Sequence, residues 1–233
     1  MDGKNVAIRA ADGKTFDAYV VGDAEPAKPA IILFSPIFGV DSDIKTIANR
    51  WAERGYLVAV PDYYFRVKPG VLDRSDDGRK QAMERWKALD VDRTIADMAS
   101  LKNYLVALPG CNGTILSLGF CAGGELAFLA ATRLGAEAVA TFHATHIDRH
   151  LDEVGKVAGR LTLHYGSNDP LVPMEKVDAI RARFAGHADV DIHVYAGAEH
   201  GFSFAGRPSY HEVAATSSDR CAQDVFASFK RSA

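Results

Sequence analysis

The chain has 233 residues, of which 48% are hydrophobic and 24% charged, and its formal net charge at pH 7 is -3. This is the composition of an ordinary globular protein with one sizeable core, and it lacks the basic patch of a nucleic-acid-binding protein. No apolar stretch approaches the ~18 residues of a membrane span, no secretory signal pattern is evident, and the cysteines number only three. We therefore expect a cytoplasmic protein without membrane or nucleic-acid partners.

The first part of the chain opens with a predicted hairpin, in which an Asp-Gly turn joins two strands. A continuously apolar run then predicts a strand that is buried on both faces. An amphipathic helix, which ends at Gly55, and another apolar strand follow. In chain order these elements span residues 5–10, 15–21, 30–35, 44–55 and 56–60.

An irregular segment over residues 63–78 leads into a helical stretch over 79–108, which we expect to break near Asp90. Beyond it, short apolar runs alternate with amphipathic patterns. The apolar runs predict strands over residues 114–120, 138–143, 160–166 and 190–197. The amphipathic patterns predict helices over residues 125–135, 174–186 and 209–230.

The alternation of strands and helices predicts an α/β protein with a mostly parallel sheet, helices on both faces and an opening antiparallel hairpin. No linker or internal repeat divides the chain, so we expect a single domain over residues 1–233. Ligands of such sheets bind beyond the carboxyl ends of the strands. The residues at these ends are therefore the candidates for a functional site.

Three reactive side chains each follow a predicted strand: Cys121, Asp169 and His200. Nucleophile, acid and histidine occur in this chain order in α/β-hydrolases, here with cysteine in the serine position of the G-x-S-x-G turn. Each residue alone has an ordinary structural explanation, but the three together favour a catalytic triad. In that triad His200 accepts the thiol proton, and Asp169 orients the imidazole.

The stretch GFCAGG surrounds the candidate nucleophile. Gly119 and Gly123 have no Cβ, so the strand can turn sharply into the following helix and present Cys121 above the sheet. The N-terminus of that helix favours the thiolate over the thiol. The turn also aims the N–H of Ala122 at a developing oxyanion, and the loop after the third strand offers the N–H of Ile37 as a second donor.

Five blocks of sequence carry a family resemblance: IFGV, GYLVAVPDYY, GFCAGGELAF, GSNDPLVP and GAEHGF. Through them, nearly the whole chain resembles the dienelactone hydrolase (carboxymethylenebutenolidase) family of α/β-hydrolases with a cysteine nucleophile. The resemblance implies that Cys121 is the nucleophile, His200 the base and Asp169 its orienter, and that the N–H groups of Ile37 and Ala122 form the oxyanion hole. It also implies an ester or lactone substrate, such as those of aromatic compound degradation, and no cofactor.

The chain departs from the family pattern at positions that affect substrate and activation. Pro36 stands where the typical member has a glutamate that contacts the resting thiol, so we expect His200 and the helix N-terminus alone to hold the thiolate. The family binds the substrate carboxylate with two arginines, of which Arg79 matches the first. Phe204 occupies the second position, with Arg207 three residues later as a substitute.

The predicted substrate pocket is more apolar than that of the family. Met83 replaces a family tyrosine, and Phe204 replaces an arginine. The aromatic side chains of Phe38, Tyr64 and Phe202 would form further parts of the pocket wall. A less charged ester or lactone is therefore an alternative to the anionic dienelactone.

Other functional classes remain open from the sequence. The stretch HATHIDRH places His143, His146 and His150 close together, so a metal-dependent hydrolase is an alternative, although no carboxylate partner is evident. A non-catalytic ligand-binding protein with the same fold is another. Redox sensing by an exposed thiol is a third, but no resolving cysteine is evident. We expect a monomer or a weak homodimer.

Overall fold

The computed structural model describes residues 3–231. Its strands are β1 (Lys4–Arg9), β2 (Thr15–Val21), β3 (Lys28–Phe34), β4 (Leu57–Pro61), β5 (Cys111–Phe120), β6 (Ala138–Phe142), β7 (Arg160–Gly166) and β8 (Val190–Tyr195). Its α-helices are α1 (Ser42–Glu53), α2 (Asp76–Lys87), α3 (Val91–Val106), α4 (Ala122–Arg133), α5 (Met174–Arg183) and α6 (Glu212–Ala227). Two 3-10 segments span Ile147–Lys156 and Ser228–Arg231.

The strands form an eight-stranded sheet in the order β1-β2-β4-β3-β5-β6-β7-β8. β1 and β2 pair antiparallel, as predicted for the opening hairpin, and β2 also pairs antiparallel with β4. The pairs β3/β4, β6/β7 and β7/β8 are parallel. The prediction of an α/β protein with a mostly parallel sheet is therefore confirmed.

Side-chain caps explain where the helices begin. The predicted break near Asp90 is confirmed, because the Asp90 carboxylate accepts a hydrogen bond from the Arg93 N–H (2.9 Å) and so starts α3. In the same way, Ser75 Oγ accepts from the Gly78 N–H (3.0 Å), so α2 begins at Asp76, slightly before the predicted position. The segment Ile147–Lys156, to which the sequence pattern assigned no helix or strand, is a 3-10 segment.

The chain divides into two compact units, of which the first ends at Leu116. In this unit α1 packs on β4 and β2, while α3 packs on β1 and β3. Its core is built from large apolar side chains that are fully buried: Ile31, Ile32, Leu33, Trp51, Tyr56, Tyr63 and Tyr64. The expectation of a single domain over residues 1–233 stays a prediction.

The second unit begins at Ser117, close to the end of β5. Within it α4 packs on β6, and α6 packs on β6 and β7. Because β6, β7 and β8 are parallel, the segments that follow them all start at one edge of the sheet. The end of β5 reaches the same edge, since the N–H of Cys121 donates to the Phe142 carbonyl (3.1 Å) at the end of β6. This edge carries the predicted triad.

None of the helices in residues 3–231 combines the length and apolar character that a membrane span requires.

Candidate active site

Cys121 lies in the turn between β5 and α4 in a strained backbone conformation. Its φ of 55° and ψ of -124° belong to a region that non-glycine residues rarely adopt. Hydrogen bonds hold this conformation, because the Cys121 carbonyl accepts from the N–H groups of Gly124 (3.0 Å) and Thr145 (3.1 Å). Strain of this kind is typical of a functional site. The Cys121 side chain makes no capping hydrogen bond to the helix, and the thiol is partly exposed.

Glycines permit the close packing of this turn. A Cβ on Gly119 would overlap the Gly123 carbonyl and lie 2.6 Å from the Ala127 Cβ. A Cβ on Gly124 would overlap the Ala144 side chain and lie 2.8 Å from its Cα. The close approach confirms the role predicted for Gly119 and adds Gly124, while the role predicted for Gly123 stays a prediction.

His200, which is half-buried, and Asp169, which is buried, form a hydrogen-bonded pair after the ends of β8 and β7. His200 Nδ1 lies 2.7 Å from Asp169 Oδ2. The other carboxylate oxygen, Oδ1, accepts from the N–H groups of Leu171 (2.8 Å) and Val172 (3.2 Å). The two backbone N–H groups hold the carboxylate in place. Because Asp169 is only 3% exposed, water screens the interaction of its negative charge with His200 only weakly. Nε2, on the opposite side of the ring, remains for proton exchange.

The charges around His200 favour its protonated form. Burial alone lowers the pKa of His200, but the charge of Cys121 and the hydrogen bond to Asp169 outweigh burial and raise the pKa to about 10. At neutral pH the ring therefore carries a proton next to the sulfur. This electrostatic coupling brings Cys121, His200 and Asp169 together as one group.

His143 follows β6 and forms one wall of this group. Its ring lies 4.8 Å from the ring of His200 in an edge-to-face arrangement, and its Nε2 lies 3.0 Å from Ser203 Oγ. Burial, followed by the nearby charges of His200 and Arg207, holds the pKa of His143 well below its usual range. His143 is therefore neutral. Phe204, which is only 3% exposed, packs on it with 5.7 Å between the centroids of the two rings.

The other two histidines of HATHIDRH have a carboxylate partner that the sequence did not reveal. His150 Nε2 lies 2.7 Å from Oε1 of the buried Glu125 on α4, and His146 Nδ1 lies 3.6 Å from Glu125 Oε2. The expectation that no carboxylate partner is present was wrong. Residues 3–231 contain no group of three or more His, Cys, Asp or Glu side chains placed to hold a metal ion. His146 and His150 both contact the Glu125 carboxylate. The metal-dependent alternative is therefore not favoured.

Five predicted site residues lie in the first unit. Ile37 is half-buried, and its carbonyl accepts a hydrogen bond from Arg85 Nη2 (2.6 Å). Tyr64 is fully buried, with the Arg85 guanidinium carbon 3.8 Å from its ring centroid. Phe38 is 9% exposed and carries the Arg74 guanidinium over its ring at 4.6 Å. Their contribution to an oxyanion hole or a pocket wall stays a prediction.

Arg79 and Met83 lie on α2 with exposed side chains, Met83 at 42%. Arg85, on the same helix, is 2% exposed and was missed by the sequence analysis. A signal was present, since Arg85 shares the buried stripe of α2 with Gly78 and Ala82 at helical spacing. In the sequence ERW, however, Arg85 looks like an ordinary solvent-exposed residue of a helix.

A strained cysteine after one strand, with a hydrogen-bonded His-Asp pair at the ends of two others, is the arrangement of residues found in hydrolases of the α/β class. The family model for the dienelactone hydrolase family matches residues 16–230. The carboxymethylenebutenolidase of Pseudomonas putida is 29% identical over 214 residues, which cover 91% of each chain. The chain belongs to the dienelactone hydrolase family and is a carboxylic ester or lactone hydrolase.

Solved structures agree with this fold. A protein from Klebsiella pneumoniae subsp. pneumoniae, provisionally named a dienelactone hydrolase, superposes with a TM-score of 0.84 at 23% identity, covering 97% of this chain and 98% of that one. The dienelactone hydrolase-like promiscuous phosphotriesterase P91 from metagenomic libraries has a TM-score of 0.77 at 21% identity, covering 99% and 100%. At these identities the likeness concerns the fold alone.

Proposed function

We propose that this protein hydrolyses a small ester or lactone through a covalent thioester on Cys121, with His200 and Asp169 completing the triad. The observation that carries the proposal is the hydrogen-bonded pair of His200 and Asp169 next to Cys121. His200 Nδ1 lies 2.7 Å from Asp169 Oδ2, and the charge of Cys121 together with the hydrogen bond to Asp169 raises the pKa of His200 to about 10. A histidine oriented in this way is placed to take the proton of the thiol and so to activate it as a nucleophile.

In the first half of the reaction the Cys121 thiolate attacks the carbonyl carbon of the substrate. The carbonyl oxygen becomes an oxyanion, which the N–H of Ala122 at the start of α4 stabilises; Ile37 as a second donor stays a prediction. The intermediate then collapses, the bond to the leaving oxygen breaks, and His200 gives its proton to the departing alkoxide. The products are an alcohol, or the opened ring of a lactone, and a thioester.

In the second half His200 changes from acid to base. The thioester sulfur is uncharged, so the Cys121 charge that raised the pKa of His200 is lost, and burial again favours the neutral ring. Neutral His200 accepts a proton from a water molecule as that water attacks the thioester carbonyl. Collapse of this second intermediate releases the acid and restores the thiolate and the imidazolium.

The substrate proposal is supported by the aromatic side chains that pack behind His200. The neutral ring of His143 contacts the ring of His200. Phe202 and Phe204 pack on His143, and Phe120 packs on Phe204. The Pseudomonas putida relative is a carboxymethylenebutenolidase. We propose that this chain acts on lactones or esters and prefers the less charged ones; clearly higher kcat/KM on anionic than on neutral esters would contradict the preference.

Turnover of p-nitrophenyl acetate and cis-dienelactone by wild type, Cys121→Ala and Cys221→Ala tests the mechanism. Cys221 is a matched control, because it is equally partly exposed but burial raises the pKa of its thiol. We expect Cys121→Ala to lose at least about 10³-fold in kcat, while Cys221→Ala stays close to wild type. Mass spectrometry of the rapidly quenched enzyme should show an acetyl group on the peptide that contains Cys121.

Retention of wild-type turnover in Cys121→Ala would exclude the thioester route. A chain that binds esters without turning them over would support the ligand-binding alternative. We keep a monomer or weak homodimer in the cytoplasm as predictions, which size-exclusion chromatography and cell fractionation test.

A further inference from the structure

Backbone strain in the second unit is concentrated where α4 meets the segment that follows β6. Within residues 3–231, the non-glycine residues with positive φ are Cys121 (55°), His143 (42°) and His146 (67°). Cys121 precedes α4, and the two histidines lie in residues 143–150, which we call the β6 loop. Conformations of this kind persist only where the surrounding contacts hold them. The contacts between the β6 loop and α4 therefore determine the geometry of the proposed nucleophile.

Two backbone hydrogen bonds join Cys121 directly to this region. Its N–H donates to the Phe142 carbonyl (3.1 Å), and its carbonyl accepts from the Thr145 N–H (3.1 Å). In the first turn of α4, Gly124 packs closely on Ala144, since a Cβ on Gly124 would lie 2.8 Å from the Ala144 Cα. A displacement of the β6 loop would therefore change the conformation of Cys121.

A buried carboxylate holds the β6 loop from the side of α4. Glu125 is 2% exposed. Its Oε1 lies 2.7 Å from His150 Nε2, and its Oε2 lies 3.6 Å from His146 Nδ1. The β6 loop is thus bound to Cys121 through Thr145 and to Glu125 through the two histidines that follow.

A charge at position 125 is unfavourable for stability alone. Every residue of α4 from Ala122 to Ala131 is buried, and Glu125 is the charged residue among them. Burying a carboxylate costs free energy unless polar contacts compensate it. The N-terminal end of α4 and the hydrogen bond with His150 supply such compensation. An apolar side chain, like those around it, would not need it, so the carboxylate is better explained by the position that it gives to the β6 loop.

From these contacts we infer that Glu125 and His150 are positioning residues for the nucleophile: they hold the β6 loop against α4 and so keep Cys121 in its strained conformation beside His200. The same contacts fix the start of the loop, where the ring of His143 lies 4.8 Å from the ring of His200. The inference rests on the proposed function, because it takes Cys121 as the reacting group. Glu125 and His150 act through the backbone and not on the substrate.

Two variants of Glu125 separate its hydrogen bond from its charge. Glu125→Gln removes the charge and keeps an oxygen that can accept a hydrogen bond from His150. Glu125→Met removes both and keeps the length of the side chain. Glu153→Gln is the matched control, because Glu153 is 5% exposed and also joins α4 to the 3-10 segment, through Arg133 Nη2 (2.5 Å) at the far end of the helix. Its replacement lowers stability without touching Cys121.

The first readout is acylation by p-nitrophenyl acetate. We expect Glu125→Met to lose about 10- to 100-fold in kcat, since small displacements of a reacting group have effects of this size. KM should stay within about threefold, because the substrate contacts are unchanged. Glu125→Gln should stay within about threefold of the wild-type kcat, and Glu153→Gln within about twofold.

The second readout is the NMR titration of the His200 ring, which reports the position of Cys121. Burial lowers the pKa of His200, but the charge of Cys121 and the hydrogen bond to Asp169 raise it to about 10. When the sulfur moves away from the ring, its contribution is lost. The pKa of His200 should therefore fall by at least about one pH unit in Glu125→Met and stay at the wild-type value in Glu125→Gln.

Equal falls of the His200 pKa in Glu125→Gln and Glu125→Met would reveal an effect of charge alone and would overturn the inference. An acylation loss in Glu125→Met no larger than that of Glu153→Gln would also overturn it. If Glu125→Met does not fold, His150→Phe decides, because it keeps an aromatic ring and loses the hydrogen bond: unchanged kcat in that variant overturns the inference. Failure of the proposed function is distinguishable, because wild type would then acylate no faster than Cys121→Ala, while the His200 titration still reports the position of Cys121.

Discussion

Replacing Asp169 with asparagine should remove the negative charge beside His200 and reverse the direction of the hydrogen bond between the two side chains. In the native site Oδ1 is held by the N–H groups of Leu171 and Val172, and Oδ2 faces His200 Nδ1. An asparagine keeps its carbonyl on the two N–H groups, so its amide donates to Nδ1. His200 then has to carry its proton on Nε2, the nitrogen that exchanges protons with Cys121 and water.

The magnitude follows from the charges at the site. An opposite charge at hydrogen-bond distance changes a pKa by roughly 1–3 pH units, and each unit corresponds to about 1.4 kcal/mol. The pKa of His200 should therefore fall from about 10 to about 7–9. Because the wrong tautomer also blocks proton transfer in the second half of the reaction, we expect kcat to fall by about 10²- to 10⁴-fold.

NMR titration of the His200 ring and kcat for p-nitrophenyl acetate between pH 6 and 10 measure both effects. Asp148→Asn is the control, because Asp148 pairs with Lys176 at 3.4 Å in the same unit and makes no contact with the triad. A variant that keeps the titration of His200 and loses less than about threefold in kcat would refute the assignment of Asp169.

Two further predictions concern the structure that supports the site. Gly124→Ala should lower the free energy of unfolding by about 1–3 kcal/mol and slow acylation, because the new Cβ would overlap Ala144. Gly155→Ala is the control, because Gly155 has open space around it, and it should change neither quantity. Urea unfolding measures the stability, and p-nitrophenyl acetate turnover measures the rate. The Arg133 side chain lowers the pKa of Glu153 to about 2, below the ordinary 4.5, so the stabilisation is complete above pH 4.5 and is lost as the pH falls through 2. Glu153→Gln should thus cost about 1–3 kcal/mol at pH 7 and progressively less below pH 4.5; an equal cost at pH 7 and pH 3 would contradict the pairing.

Most of the sheet could be predicted from the sequence, because its signals are local. Apolar runs of strand length, an Asp-Gly turn and helix caps act over a few residues, so β7 begins and ends as predicted and the break at Asp90 lies at a capping side chain. The segment Ile147–Lys156 was missed, since a 3-10 segment with a kink at His150 has neither helical nor strand periodicity.

The proximity of Cys121, Asp169 and His200 was predictable for a related reason. Parallel strands bring their carboxyl ends to one edge, so reactive residues after strands can be grouped without knowing any side-chain contact. His143 was harder to assign. Its backbone φ of 42° and its neutral state depend on the packing around it, and nothing in the sequence FHATH shows that its ring lies beside His200. A buried histidine has the same local sequence whether it is catalytic, structural or a wall.

The contacts that escaped prediction are those that join distant parts of the chain through a polar side chain. Arg85 reaches a carbonyl 48 positions away, and Glu125 reaches a histidine 25 positions away. Charged residues usually lie on the solvated surface. A sequence pattern therefore predicts exposure for Arg85 and Glu125, both of which are buried. The motifs of this chain therefore indicate where the candidate reactive side chains lie, while the buried polar contacts that join distant segments are visible only in the structure.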